Sequence, residues 1–267
     1  MLNAEAFQIP TARPLPVILL VDVSGSMGEV IDTTGMRDTG QRVFEDGRWW
    51  NIVEGGISRI QVLNRACRKM VADWSNLENG EHEVDLSVIT FGKSVKVELP
   101  LTPASQVNWI DLVPEGETPL GEALRLAKEM VEDKSKVPGR AYRPTVVLIS
   151  DGRPDSGWEE ALRRFAKEGR SSKCDRMAMG IGDGVDMTVL RKFIEGNVVD
   201  REVFSADDAS AIKDFFEYVT ISVSVRTQSQ NPNTVPQDNG VRATVAGQNT
   251  TASSSSDDDD EEENGFF

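Results

Sequence analysis

The sequence predicts an α/β, doubly wound domain built on a mostly parallel, six-stranded central sheet with one antiparallel edge strand. Three observations carry that expectation. Short apolar runs alternate with stretches of helical periodicity, the pattern of a parallel sheet covered by helices on both faces. The run at 15–21 is continuously apolar, as expected of a strand buried on both faces, and 145–150 reads as another apolar strand. The segments 84–91 and 94–99 are separated only by Gly92 and Lys93, which reads as a hairpin and puts an antiparallel strand at a sheet edge.

Each element has its own justification. Ile57, Ile60, Leu63, Ala66, Cys67, Met70, Val71 and Trp74 recur at helical spacing and predict an amphipathic helix over 57–75. Leu120, Ala123, Leu124, Ala127, Met130 and Val131 mark a second, with Thr118 as its N-cap and Pro119 at its first position. A third, over 157–168, buries Trp158, Ala161, Leu162 and Phe165 and stops at Gly169. A strand follows at 177–181, then a short helix between Asp186 and Gly196 and a short strand at 202–204. Ile212, Phe215, Phe216 and Val219 line a final helix whose end stays open, because Ile221, Val223 and Val225 alternate with serines and also suit a strand. Between the first strand and the first helix, residues 28–56 read as an irregular insertion holding Trp49 and Trp50. So long a loop inside a compact domain is usually functional or disordered.

The expected organisation is an extension at 1–13, a domain at 14–225 and a disordered acidic tail at 226–267. The tail is rich in Gln, Asn, Ser, Thr, Pro and Gly and cannot offset its ordering entropy by burial. It ends in Asp257 to Glu263 and then Asn-Gly-Phe266-Phe267, a terminus resembling a short docking peptide. The 267 residues are 39% apolar and 27% charged, as in ordinary globular chains, with a net charge of −15. That charge argues against a nucleic-acid partner, which needs clustered Lys and Arg. No run approaches the ~18 apolar residues of a membrane span, and none resembles a secretory leader, so the expected location is the cytoplasm. Cys67 and Cys174 lack the short spacing of a zinc or redox pair and read as buried small hydrophobes.

Asp22-Val23-Ser24-Gly25-Ser26 follows a central strand, so its side chains emerge at the carboxyl edge of the sheet, where open α/β folds place ligands. Short Asp, Ser and Thr side chains on convergent loops offer hard oxygens, which suit Mg²⁺; Mn²⁺ fits as well. Each piece also has a bland explanation. Ser24 and Ser26 can form turn hydrogen bonds, Thr118 can cap its helix and Asp151 can open an Asp-Gly turn. Co-occurrence at three strand ends or helix starts favours the metal.

Asp22-x-Ser24-x-Ser26, Gly116-Glu117-Thr118-Pro119-Leu120 and Ser150-Asp151-Gly152 together resemble, in order and spacing, the metal-ion-dependent adhesion site of Rossmann-like von Willebrand factor A (vWA) domains. The likeness extends over about residues 14–222. Within that family, Pro16 to Met27, the stretch from Gly116 to Leu124 and residues 215–225 look most like bacterial TerY-like proteins of tellurium-resistance operons. The resemblance implies that Ser24, Ser26 and Thr118 ligate the metal directly while Asp22 and Asp151 hold its waters. Neutral hydroxyl ligands leave the ion electrophilic, so a partner's Asp or Glu is the natural further ligand. It implies a scaffold in stress or defence signalling beside an operon-encoded kinase or phosphatase; the alternative is an adaptor subunit of an AAA+ ATPase of the chelatase type. Trp49, Trp50, Phe266 and Phe267 are candidate partner contacts.

Enzyme classes fit poorly. A haloacid-dehalogenase-type phosphatase needs a second Asp where Ser24 stands. A serine hydrolase needs a base, and the one histidine, His82, lies in a polar turn with no G-x-S-x-G elbow. Gly180-Ile181-Gly182-Asp183-Gly184 lacks the full dinucleotide fingerprint and reads as a turn.

Overall fold

The computed structural model describes residues 13–45, 47–77 and 83–234. In chain order the regular elements are β1 (Pro14–Asp22), β2 (Val30–Asp32), β3 (Arg37–Glu45), β4 (Arg48–Glu54), β5 (Ile57–Ser58), α1 (Arg59–Ser75), β6 (Glu83–Phe91) and β7 (Val95–Pro103). They continue with α2 (Leu120–Glu132), β8 (Thr145–Ser150), α3 (Trp158–Lys167), β9 (Asp175–Ile181), α4 (Met187–Ile194), β10 (Phe204–Ala206) and α5 (Ala209–Thr227). The central sheet has six strands in the order β10-β9-β8-β1-β6-β7, all parallel except β7, which runs antiparallel to β6 at the edge. This is the architecture the sequence predicts.

Every residue of β1 is buried, and its alternation explains why the run is unbrokenly apolar. Leu15, Val17, Leu19 and Val21 face a core shared with α1 and α5, while Ile18 and Leu20 face a second core with α2, α3 and α4. One strand thus supplies both layers. Cys67 and Cys174 are buried in opposite layers as free thiols, Cys174 immediately before β9.

The insertion at 28–56 is not irregular. β2 and β5 pair as a short stem, and β3 and β4 pair antiparallel as a hairpin that packs on itself rather than on the body. The β-branched and aromatic pairs Val43-Phe44, Trp49-Trp50 and Ile52-Val53 supply strand formers on both arms, without the alternation that would have marked them in sequence. At the neck Gly55 and Gly56 have positive φ, and a Cβ on Gly55 would lie 2.5 Å from the Gly35 carbonyl oxygen. Only glycine allows the two chains to cross there. β5 and the Ser58–Gln61 capping box take the first two positions of the helix expected from 57, so α1 starts at Arg59.

The end of α5 is decided by packing. Thr220 and Ser224 return their hydroxyls to the carbonyls of Phe216 and Thr220, four residues back, which lets a Ser/Thr/Val-rich segment stay helical. The helix runs to Thr227 because Arg226 is wholly buried, donating to Pro232 O, Thr145 Oγ1 and Arg143 O. Residues 226–234 therefore fold back along the amino-terminal edge of the sheet, past the point where the sequence places the start of the tail. The rest of that tail, with Asp257 to Glu263, Phe266 and Phe267, lies outside the described residues, as does His82.

Below the sheet, Asp175 at the start of β9 is fully buried and clamped by two bonds from the Arg201 guanidinium at 2.7 and 2.8 Å. Breaking such a pair strips the buried carboxylate of its hydrogen-bonded partner and leaves only the Arg226 guanidinium, 4.0 Å away, as counter-charge. Arg201→Met is expected to lower unfolding free energy by about 3–5 kcal/mol, read from urea midpoints, whereas removing a charge from the exposed Lys69–Asp73 pair should change it by less than about 1 kcal/mol.

Candidate metal centre

Strand register assembles the site. Val21 pairs with Ile149, so Asp22, at the end of β1, sits beside Ser150, at the end of β8. Ser150 donates its hydroxyl to Asp22 Oδ2 at 2.6 Å, and the Ser24 amide donates to Oδ1 at 2.9 Å. Both Asp22 oxygens are thereby fixed, and the chain turns into a 3-10 segment at Gly25–Gly28 that presents Ser24 and Ser26 on the same side. Their hydroxyl oxygens are 3.1 Å apart, and the Ser26 hydroxyl donates to Asp151 Oδ1 at 2.8 Å.

Thr118 comes from a third segment. Val23 N bonds Phe91 O, Glu115 N bonds Val23 O, Lys93 N bonds Glu115 O and Gly25 N bonds Gly116 O, so three loops interlock over the end of the sheet. The weave requires Gly116, whose φ is +92° and where a Cβ would lie 2.1 Å from the Lys93 nitrogen. It leaves Thr118 Oγ1 against Gly152: a Cβ there would stand 3.3 Å from that oxygen and 4.0 Å from Asp22 Oδ2. The expectation that Thr118 caps α2 is not met. Pro119 occupies the N-cap position, no side chain caps the helix, and the Thr118 hydroxyl has no hydrogen-bond partner among the described residues.

Asp22, Ser24, Ser26 and Asp151 are thus joined in one hydrogen-bonded group, with the Thr118 hydroxyl at its border. This set fits a hard divalent cation. Two oxygens bound about 2.1 Å from one ion at right angles stand about 3.0 Å apart, which the two serines already do. Ser26 gives its proton to Asp151, leaving its lone pairs for an ion. No group of three or more His, Cys, Asp or Glu converges on a metal site among the described residues, so the donors here are hydroxyls backed by two carboxylates.

Burial pushes the Asp22 carboxyl up to about 6, against the hydrogen bonds from Ser150 and Ser24; the Asp151 charge adds to the rise. Asp151 is also buried, and one residue that sequence reasoning missed explains how its charge is held. Arg59, the first residue of α1, donates from Nη1 to Asp151 Oδ2 at 2.8 Å and to Ser26 O at 3.2 Å, and pairs through Nη2 with Glu29 at 3.0 Å. Nothing in its local sequence marks it. Trp49 and Trp50, by contrast, lie away from this group, on the hairpin, 68% and 53% exposed, with Trp49 packed on Phe44 at 5.2 Å between ring centres.

The von Willebrand factor type A domain model matches residues 17–218. The chain belongs to that family. Domains of the family are generally metal-dependent protein-interaction modules, more often than enzymes. No curated protein matches the chain. Among solved structures, the vWA fold is shared with proximal thread matrix protein 1 from the mussel byssus, in a form with a zinc-occupied MIDAS motif (14% identity, TM-score 0.52, covering 79% of this chain and 48% of that one). It is also shared with the PilB minor pilin of Streptococcus sanguinis (16%, 0.53, 83% and 64%) and a von Willebrand factor type A protein from Catenulispora acidiphila (17%, 0.50, 79% and 42%). This vWA chain spans less than two thirds of each of those proteins. No helix among its described residues is long and apolar enough to cross a membrane.

Two outcomes follow for the metal-free domain. Because the folded carboxyl of Asp22 titrates above its unfolded value, the folded state binds the extra proton; stability is greatest below about pH 4 on this group's account and falls as pH rises through 6. Asp22→Asn should therefore melt higher than wild type at pH 7, by on the order of 2 kcal/mol, while losing any stabilisation by added Mg²⁺. Gly116→Ala should do the reverse, unfolding more easily by roughly 1–3 kcal/mol from backbone strain and losing the Mg²⁺ response as Thr118 is displaced. Thermal melts with and without Mg²⁺ at pH 4.5 and 7 read both.

Proposed function

We propose that this vWA domain is a metal-dependent protein-binding module and not an enzyme, with Ser24, Ser26 and Thr118 ligating Mg²⁺ while Asp22 and Asp151 hold coordinated water, the arrangement of a metal-ion-dependent adhesion site. Mn²⁺ fits the same oxygens. The observation that carries the reading is the 3.1 Å spacing of the Ser24 and Ser26 hydroxyls, with Ser26 oriented by Asp151. Its consequence is chemical. A dication in a shell of neutral hydroxyls keeps most of its charge, and an Asp or Glu from a protein partner completes the shell. The zinc-occupied motif of the mussel protein supports a divalent ion in this fold.

The hairpin gives the partner a second foothold. Phe44, Trp49 and Trp50 are large exposed aromatics on a β-ribbon whose stem follows the same 3-10 turn as Ser26, which offers a partner held on the metal an additional apolar contact. The motif likeness to TerY-like proteins favours a cytoplasmic scaffold in bacterial stress or defence signalling, with an operon-encoded kinase or phosphatase as the partner that supplies the carboxylate.

Calorimetry with Mg²⁺ and Mn²⁺ tests the centre. Wild type is expected to bind one ion, Asp22→Ala to bind none, and a short Asp-containing peptide to bind only when metal is present. Trp49→Ala with Trp50→Ala should leave metal affinity unchanged and weaken a folded partner by at least about tenfold, as loss of aromatic anchors does. Equal peptide binding with and without metal would overturn the reading.

A further inference from the structure

Building on that metal-centre reading, we propose that Arg59 is an internal counter-ion that competes with the divalent cation for Asp151, so that the centre holds its metal weakly alone and firmly only together with a partner's carboxylate.

The location of Arg59 is anomalous. It is the first residue of α1, where the helix dipole favours anions and disfavours a cation. Its own helix does not explain it, so its carboxylate partners must. The guanidinium reaches Asp151 Oδ2 at 2.8 Å, and Asp151's side chain is fully buried while that of Arg59 is only 15% exposed. In such surroundings the pair is weakly screened. With Ser26 on Oδ1 and Arg59 on Oδ2, both oxygens of Asp151 are engaged before any ion arrives.

A second, independent observation shows that the seat is shaped for this group. Gly182, just beyond β9, has φ +71°, and a Cβ on it would lie 2.7 Å from Arg59 Nη2. Gly182 thus leaves the guanidinium the room that a side chain would fill. The seat does not satisfy every donor: Arg59 Nε is buried without a hydrogen-bond partner, so charge rather than full hydrogen bonding holds the side chain. Glu29, which follows the turn carrying Ser26, holds Nη2 at 3.0 Å and is 62% exposed. When a metal draws on Asp151, Glu29 keeps the guanidinium paired.

The charges set the behaviour. Among the buried groups, Asp22 and Asp151 bring two negative charges and Arg59 removes one, while the charge of Glu29, 62% exposed, is screened by solvent, so a dication leaves the buried centre net positive. An incoming carboxylate restores balance. By reciprocity, metal and carboxylate then strengthen each other's binding by the same factor.

The experiment measures Mg²⁺ affinity of the full chain by calorimetry for wild type, Arg59→Gln and Arg59→Lys, alone and with the short Asp-containing peptide. Arg59→Gln is expected to bind Mg²⁺ alone about tenfold more tightly than wild type, and to gain less from the peptide, as removal of a like charge near the ion requires. Arg59→Lys retains the charge and should stay near wild type. Metal-free Arg59→Gln should also melt lower, because Asp151 loses its counter-charge, and Mg²⁺ should raise its melting temperature more than that of wild type. Weaker or unchanged Mg²⁺ binding in Arg59→Gln, with a Mg²⁺-induced rise no larger than in wild type, would overturn the inference and make Arg59 a residue that only orients Asp151. Absence of Mg²⁺ binding in wild type and in both variants would overturn the metal-centre reading itself, a result distinguishable from the first.

Discussion

The parallel pairing of β1 with β8 is the constraint on which the rest of the site depends. Its register, Val21 opposite Ile149, puts the Asp22 carboxylate beside the Ser150 hydroxyl and brings Asp151 over the serine turn. A slip of one residue would send these side chains to the other face of the sheet. Such a slip is prevented by burial, since the alternate residues of β1 belong to two different cores and both would be emptied together. The chemistry at the sheet edge is therefore held in place by apolar packing some distance below it.

Over that edge, glycine determines how closely the loops approach. Gly92 and Gly116 allow the turn after β6, the turn after β1 and the loop before α2 to share backbone hydrogen bonds in a space where side chains would collide. The result is a rigid rim of peptide groups with hydroxyls projecting from it. Rigidity matters, because a metal centre built on neutral ligands gains little from each and must have them positioned beforehand. The burial that raises the Asp22 carboxyl to about 6 is the cost of that positioning, and an ion would relieve it.

The hairpin obeys a different logic. It is joined to the body through a short stem and a glycine crossing, and it carries its aromatics outward. Exposed Phe44, Trp49 and Trp50 contribute little to the stability of the fold, which already has its two cores. Their exposure is the basis for proposing a partner contact there. The stem joins this ribbon to the serine turn on one side and to Arg59 on the other.

Much of this was legible in the sequence, because it rests on local properties. Periods of 2 and 3.6, continuous apolar runs and the Gly-Lys turn specify elements through steric and burial rules that act over a few residues, and they predict the sheet, its edge strand and most helices. The proposed metal donors are chemical types at short spacing, so Asp22, Ser24 and Ser26 could be named before their geometry was known. What the sequence could not show depends on residues brought together from afar. Thr118 leaves its hydroxyl uncapped because Pro119 takes the capping position and the loop is tied to Gly25 and Lys93. The serines of α5 stay helical because Arg226 is anchored beneath the sheet. Arg59 meets Asp151 across 92 positions of chain. Sequence by itself determined which elements form and which atoms can donate to a metal, since both are properties of short segments. Tertiary structure alone decided which hydroxyl is free and which charge opposes the ion, because those depend on what burial places beside each group.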